Sequence, residues 1–438
     1  MKLHHKLQQL DCYPFHTPGH KRNTAFGICG AEIDITEIDG FDNLHCPTGV
    51  LLETEKRLQQ IYKSKRSFLL VNGSTVGLLA AIFAVCNEGD KIIVARNCHK
   101  SVYNACLLRK LRVVYLEPEF DTVNCCYTGV MQDRVNAVLR AHSDAAAMVI
   151  TTPTYEGRIS NITSPIPLII DAAHGAHLGL AHFPAYPKGS LVISSLHKTL
   201  PALTQTAVLN VYDNGYTPAV RRYLDIFETT SPSYVLMNSV SVCCDIILRQ
   251  PELFREYYRR LSDFRQIDLY ALHLKYSDDI SKIVISTENT NITGAALADL
   301  LRSSYRLEVE MASLNYVVLV TSVGDTQEAF DRLTAALKAV DSTLMTRHET
   351  IYKKPPVPSD VQRIAFPAAT EKTLLQVAAD KVAAEFVYAY PPDIPLLVPG
   401  EVITEATLQY LQRMQSGGVN LVSDSGLLPD YLLTKADN

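Results

Sequence analysis

Short apolar runs recur through the first half of the chain, and each is closed by a polar turn and followed by a longer stretch of helical composition. Phe68–Val71 ends in Asn72-Gly73-Ser74-Thr75 and leads into VGLLAAIFAVC, and Lys91–Ala95 ends in RNCHKS and leads into a helix through Val102–Leu111. Val113–Leu116, Ala146–Thr151, Leu168–Ile170, Leu191–Ser194 and Val208–Tyr212 repeat the pattern. Ahead of them, Leu51, Leu52, Glu55, Leu58 and Ile61 fall at helical spacing. Alternating strands and helices predict an α/β domain with a mostly parallel sheet. Such a sheet keeps its ligands and reactive side chains at the carboxyl ends of its strands.

Beyond Tyr234 a helical region is expected to about Leu272, and residues 280–342 read as a small βαβα unit. KKPPVPSD (Lys353–Asp360) reads as a linker into a last module with YPPDIPLLVPGE (Tyr390–Glu401) and a helix after Thr404. The expected division is a large domain over 1–275, with the first 60 or so residues irregular, a small α/β domain over 276–350 and a C-terminal α+β module over 351–438.

Composition narrows the function classes. A net charge of −5 over 438 residues gives no basic footprint for nucleic acid or a membrane surface. The N-terminus lacks the apolar core of a signal peptide, and no apolar run reaches membrane-spanning length. Ten cysteines without a CxxC pair point to reduced thiols, and so to a cytoplasmic protein.

The chemistry lies where strands end. Gly73-Ser74-Thr75 offers helix N-terminal amides and two hydroxyls to a phosphate, although the same three residues also make an ordinary helix cap. There is no GxGxxG and no Walker A sequence, so that phosphate does not belong to a dinucleotide or a nucleoside triphosphate. Asp171 closes an apolar strand, where a carboxylate needs a partner; a protonated pyridine nitrogen is one and a helix amide another. Lys198, in SSLHK just past Leu191–Ser194, is placed to form a Schiff base with pyridoxal phosphate, whereas a loop lysine in isolation is ordinarily solvated. His174 and His177 lie three apart without a third ligand, so no metal is expected.

HTPGHK, DITEIDGFDNLH, VNGST, RNCHKSV, TPTYEG, DAAHGAH, SSLHKTLPALTQTA and TTSPSYVLM stand in the order found in the Orn/Lys/Arg decarboxylase family, and YPPDIPLLVPGE extends the likeness into the last module. The chain resembles the short form of that family, pyridoxal phosphate enzymes of the aminotransferase fold (fold type I) acting on arginine, lysine or ornithine. The resemblance implies that Lys198 is the Schiff base lysine and that Asp171 pairs with the ring nitrogen. It implies that His99 stacks on one ring face and Ala173 on the other, and that Gly73, Ser74, Thr75, Ser195 and His197 hold the phosphate, with Thr154 and His174 completing the cofactor set. Lys198 or His197 would return the proton to Cα. Lys100 also follows a histidine after a strand, but in the family the lysine comes after the aspartate, and only Lys198 lies downstream of Asp171. Glu37, Asp39, Asp42 and Glu401 are candidates for the distal cation of the substrate. A homodimer is implied, with Ser231, Ser233 or the Glu401 segment acting across it.

The chain departs from the family at Ala172, where a glutamate is common, at Leu196, where a threonine is usual, and in a short connection before Asp171. Two other readings stand beside decarboxylation. One is another pyridoxal phosphate reaction, such as transamination or β-elimination, and the other is a catalytically silent relative.

Overall fold

The computed structural model describes residues 2–436 apart from 125, 347–353, 355, 356 and 359, so the expected linker lies largely outside the described residues. The architecture is mixed α/β, with parallel strand pairs, and the chain forms two compact units, each assembled from two segments.

The first unit comprises Met1–Val85 and Ile169–Tyr257. Its strands lie in the order Arg66–Leu70, Ala207–Val211, Leu191–Ser195, Leu168–Asp171. The last two are parallel, with Asp171 opposite Ile193. Ala207–Val211, expected to continue the parallel set, is antiparallel to both neighbours. The stretch between Ser195 and Ala207 holds one helical turn, which is too short for a crossover, so the chain turns straight back.

Helix Gly73–Val85 lies directly on these strands. A Cβ at Gly77 would come within 2.8 Å of Leu70 Cδ1 and 2.9 Å of Ile193 Cγ2, so glycine sets how closely helix and sheet approach. On its far side Phe83 meets Tyr223 and Phe227 of helix Thr217–Phe227 edge-on, at 5.3 and 5.0 Å between ring centroids. That packing explains why the helix is apolar almost all round.

The second unit comprises Cys86–Leu168 and Tyr258–Asn438. Strands Ala145–Thr151, Lys91–Ala95 and Arg112–Leu116 are parallel in that order, and Gln362–Arg363 adds antiparallel at the Arg112 edge. The expected βαβα of 280–342 supplies helices Gly294–Tyr305 and Gln327–Asp341 and three strands of a four-stranded antiparallel sheet, whose fourth strand, His273–Leu274, precedes it. The pairing is antiparallel because the short strand Met311–Ala312 reverses into Tyr316–Val320 before that strand reaches the sheet. In the C-terminal part, helix Glu405–Ser416 starts as expected after Thr404, whose hydroxyl accepts from the Thr407 amide.

The helical region after Tyr234 is two helices, Tyr234–Arg249 and Pro251–Phe264. Pro251 cannot donate into a continuing helix but suits the first position of a new one. Helices Gln132–Ala141 and Thr217–Phe227 were not expected from the pattern. None of the helices among the described residues is long and apolar enough to cross a membrane.

Candidate active site

Three chain segments of the first unit meet at the carboxyl ends of its parallel strands. Asp171 is the last residue of its strand and is 2% exposed, and one carboxylate oxygen accepts the Ala173 amide at 3.0 Å. Strand Leu191–Ser195 runs into the single helical turn Leu196–Thr199, which carries Lys198. Lys198 Nζ lies 2.9 Å from Nε2 of the buried His174.

The third segment is the turn that opens helix Gly73–Val85. Gly73 adopts φ +74°, a conformation that favours glycine, and open space lies where a Cβ would stand. Ser74 Oγ and Ser195 Oγ are 2.5 Å apart, so two hydroxyls from segments 121 residues apart converge beside the helix N-terminus. Thr75 is exposed one residue on. This set of hydroxyls and helix amides suits a phosphate.

His197 Nδ1 donates to the Thr206 carbonyl at 2.9 Å, which leaves Nε2 of the neutral ring as an acceptor. Burial lowers the pKa of His197, and the charge of Lys198 adds to the effect.

The turn is held from behind by groups that the sequence did not single out. The Val71 amide donates to buried Glu228 at 2.7 Å, and the Thr229 amide donates to the Asn72 side chain at 3.1 Å. Arg66–Leu70 pairs with one neighbour only, and Glu55 accepts the Leu69 amide at 3.3 Å while making an ion pair with Arg66. Two buried carboxylates thus stand in for a missing strand at this sheet edge. Burial pushes each of them up to about 7, against the pull of nearby arginines and backbone donors. No sequence motif marks Glu55 or Glu228; only edge position and burial do.

The acidic candidates separate by what their oxygens already hold. Asp42 Oδ2 accepts the amides of Gly49, Leu51 and Leu52 at 2.7, 2.7 and 3.3 Å, which caps helix Val50–Tyr62. Asp39 is exposed, and Glu37 is half-buried with Oε1 unpartnered among the described residues. Ser233 caps helix Tyr234–Arg249, and Ser231 is exposed.

The second unit holds His99, Thr154 and Glu401. His99 caps helix Lys100–Leu108: its Nδ1 accepts the Ser101 amide at 3.1 Å, and the Ser101 hydroxyl lies 2.8 Å away. Thr154 opens the tight turn of TPTYEG, where its carbonyl accepts the Gly157 amide at 3.0 Å. Gly157 has φ +79° and no room for a Cβ, which would meet Ser277 Oγ at 2.2 Å. Glu401 is buried and fully engaged: Tyr115 donates to it at 2.6 Å, Val398 N–H at 3.0 Å and Arg96 at 3.4 Å. The rival Lys100 lies 3.2 Å from Asp393 of the YPPD turn, a carboxylate that the sequence reading passed over. The described residues contain no group of three or more His, Cys, Asp or Glu placed to hold a metal.

Comparison with known proteins bears on this geometry. Residues 4–273 match the family model described as "Orn/Lys/Arg decarboxylase, major domain", and residues 345–421 match "Orn/Lys/Arg decarboxylase, C-terminal domain". The chain is 29% identical to a Bacillus subtilis protein named arginine decarboxylase, over 96% of this chain and 93% of that one. It is 32% identical to a second Bacillus subtilis protein, named YaaO, over 92% of this chain and 91% of that one. The fold is similar to the solved structure of the constitutive lysine decarboxylase of Escherichia coli, with a TM-score of 0.79 at 18% identity, covering 99% of this chain and 81% of that one.

Proposed function

Because this chain belongs to the Orn/Lys/Arg decarboxylase family, we propose that it is a pyridoxal phosphate-dependent lyase that decarboxylates a basic amino acid, with arginine the first substrate to test. The observation that carries the reading is the convergence of Lys198, Asp171 and the Ser74–Ser195 hydroxyl pair at one strand edge. Arginine comes first because a relative similar along nearly the whole chain carries the name arginine decarboxylase.

Bound pyridoxal phosphate supplies an electron sink for the pair released when the bond from Cα to the carboxylate breaks. The residues of the cradle fit its parts. Ser74, Ser195, Thr75 and the amides that begin at Gly73 would hold the phosphate. The buried carboxylate of Asp171 would favour a positive charge on the ring nitrogen. The family resemblance gives Ala173 and His99 the ring-packing roles and Thr154 a place in the cofactor set.

Lys198 is the covalent anchor, oriented through its 2.9 Å contact with His174. Its ammonium form would donate the proton that Cα takes up in place of the carboxylate lost as CO2, so that a C–C bond breaks and a C–H bond forms. His197 suits that task less well, because its Nδ1 proton is committed to Thr206 and Nε2 is an acceptor.

The distal cation of the substrate falls to Glu37 and Asp39, since Asp42 commits Oδ2 to the amides that start a helix and Glu401 commits both oxygens to Tyr115, Val398 N–H and Arg96. A homodimer in the cytoplasm completes the reading; the nine described cysteines are free thiols, as a reducing compartment requires.

Product analysis with arginine, lysine and ornithine side by side tests it. CO2 with agmatine or a diamine supports it. Formation of a keto acid or pyruvate without CO2 moves the chain to another pyridoxal phosphate reaction, and failure to bind the cofactor makes it a silent relative.

A further inference from the structure

Strands Val387–Ala389 and Ile394–Leu397 form a hairpin whose turn, Tyr390-Pro391-Pro392-Asp393, has no part in the reading above. Asp393 adopts φ +62°, a left-handed conformation uncommon for any residue but glycine, and its amide closes the turn on the Ala389 carbonyl at 3.0 Å. Its own carbonyl accepts the Lys100 amide at 3.0 Å, which sets the turn against the start of helix Lys100–Leu108.

The carboxylate then faces two cations or potential cations. Oδ1 lies 3.2 Å from Lys100 Nζ, and Oδ2 lies 3.8 Å from His99 Nε2. Lys100 also sits over the Tyr388 ring, 4.3 Å from its centroid, and the buried phenol of Tyr155 lies within electrostatic reach of Asp393. Burial alone would raise the Asp393 pKa, but its contacts with His99 and Lys100 more than offset this and hold it below the usual carboxylate range.

His99 Nδ1 accepts the Ser101 amide, so the neutral ring carries its proton on Nε2, the nitrogen that faces Asp393. Its own helix holds the ring at one nitrogen, and the hairpin carboxylate faces the other from 3.8 Å, an electrostatic contact longer than a hydrogen bond. A ring fixed at one nitrogen alone turns about that contact.

We propose that Asp393 is a positioning residue, which steadies the plane of the His99 imidazole, whose tautomer the Ser101 amide already sets, for packing against the cofactor ring. The proposal rests on the reading of His99 as the ring-stacking residue.

Three variants of the full chain test it. Asp393→Gly keeps the left-handed turn and removes the carboxylate; Asp393→Asn keeps an oxygen facing Nε2–H without the charge; Lys100→Met removes the other partner of the carboxylate. In the cofactor-free protein, nitrogen-15 NMR of His99 is expected to show the Nε2–H tautomer in all four proteins, with greater ring motion in Asp393→Gly than in wild type or Lys100→Met. Affinity for pyridoxal phosphate should fall roughly threefold in Asp393→Gly and recover in part in Asp393→Asn. Wild-type ring order and wild-type affinity in Asp393→Gly overturn the proposal. So does a Lys100→Met variant that reproduces the Asp393→Gly losses, since the carboxylate would then act through Lys100. If the wild-type chain binds no pyridoxal phosphate, the proposed function fails, while the NMR measurement still decides what Asp393 does to His99.

Discussion

The chain contains two His-Lys pairs that follow a strand, His99-Lys100 and His197-Lys198, and their surroundings differ in kind. Lys100 faces the Asp393 carboxylate, and hydrogen bonding and charge from Asp393 outweigh partial burial to raise its pKa. A carboxylate favours the ammonium, so Lys100 is biased toward its charged, non-nucleophilic form. Lys198 meets an imidazole nitrogen, which can hydrogen-bond to an amine or to an ammonium. In sequence the two lysines are told apart only by their order relative to Asp171. In space Lys100 is marked by Asp393 and Lys198 by its contact with His174.

The sharpest way to break this comparison is to remove each lysine in turn. Lys198→Ala should abolish covalent cofactor attachment, read as the mass increase after borohydride reduction, and lower kcat by on the order of 10³-fold or more. Lys100→Ala should leave attachment intact and cost about tenfold at most. If reduction fixes the cofactor to Lys100, the assignment is reversed. Next in size, Asp171→Ala should lower kcat by roughly 10² to 10³-fold at near-normal thermal stability, which a kinetic assay with a melting curve will separate.

The carboxylates behind the two regions also run in opposite directions with pH. Glu228, behind the Ser74 turn, is raised from 4.5 to about 7 chiefly by burial. The folded state therefore holds its proton more tightly than the unfolded state does, and the stability this contributes is present in acid and lost as pH rises through about 7. Glu228→Gln should flatten the loss of stability between about pH 4.5 and 7, by on the order of 3 kcal/mol in chemical denaturation. An unchanged pH profile would show that Glu228 is ionised without cost.

Smaller again, Ser74→Ala and Ser195→Ala should each weaken cofactor binding by about 1 kcal/mol, and the double variant should fall short of the sum because the two hydroxyls bond each other. Equilibrium titration of the cofactor reads all three. The smallest effect belongs to Asp393. Its pKa is depressed, so its contribution is present above the unfolded carboxylate value and fades as pH falls through the lower folded one. In a half-exposed cluster that contribution is below about 1 kcal/mol, and comparing Asp393→Asn with wild type in acid should resolve little more.

Much of the site was legible because its residues sit beside local signals. Gly73, Ser74, Asp171 and Lys198 each follow a short apolar run, and the strand at Lys91–Ala95 was placed to the residue. The acidic candidates were less legible. Asp42 lies in a motif that points to substrate, yet its oxygens reach Gly49 and Leu51 once the loop returns on itself. Glu401 meets Arg96 across 305 residues of sequence, a pairing that no spacing announces.

The alternation of apolar runs and turns was enough to determine the α/β class and where most strands of the large sheet end. These follow from periodicity and turn chemistry, which are local. Tertiary structure alone decided that Ala207–Val211 runs antiparallel, that Glu55 and Glu228 replace a strand at an open edge, and that Lys100 faces the Asp393 carboxylate. Those outcomes depend on burial and on partners far apart in the chain. The charge of a buried group is set by its neighbours, whichever residues precede it.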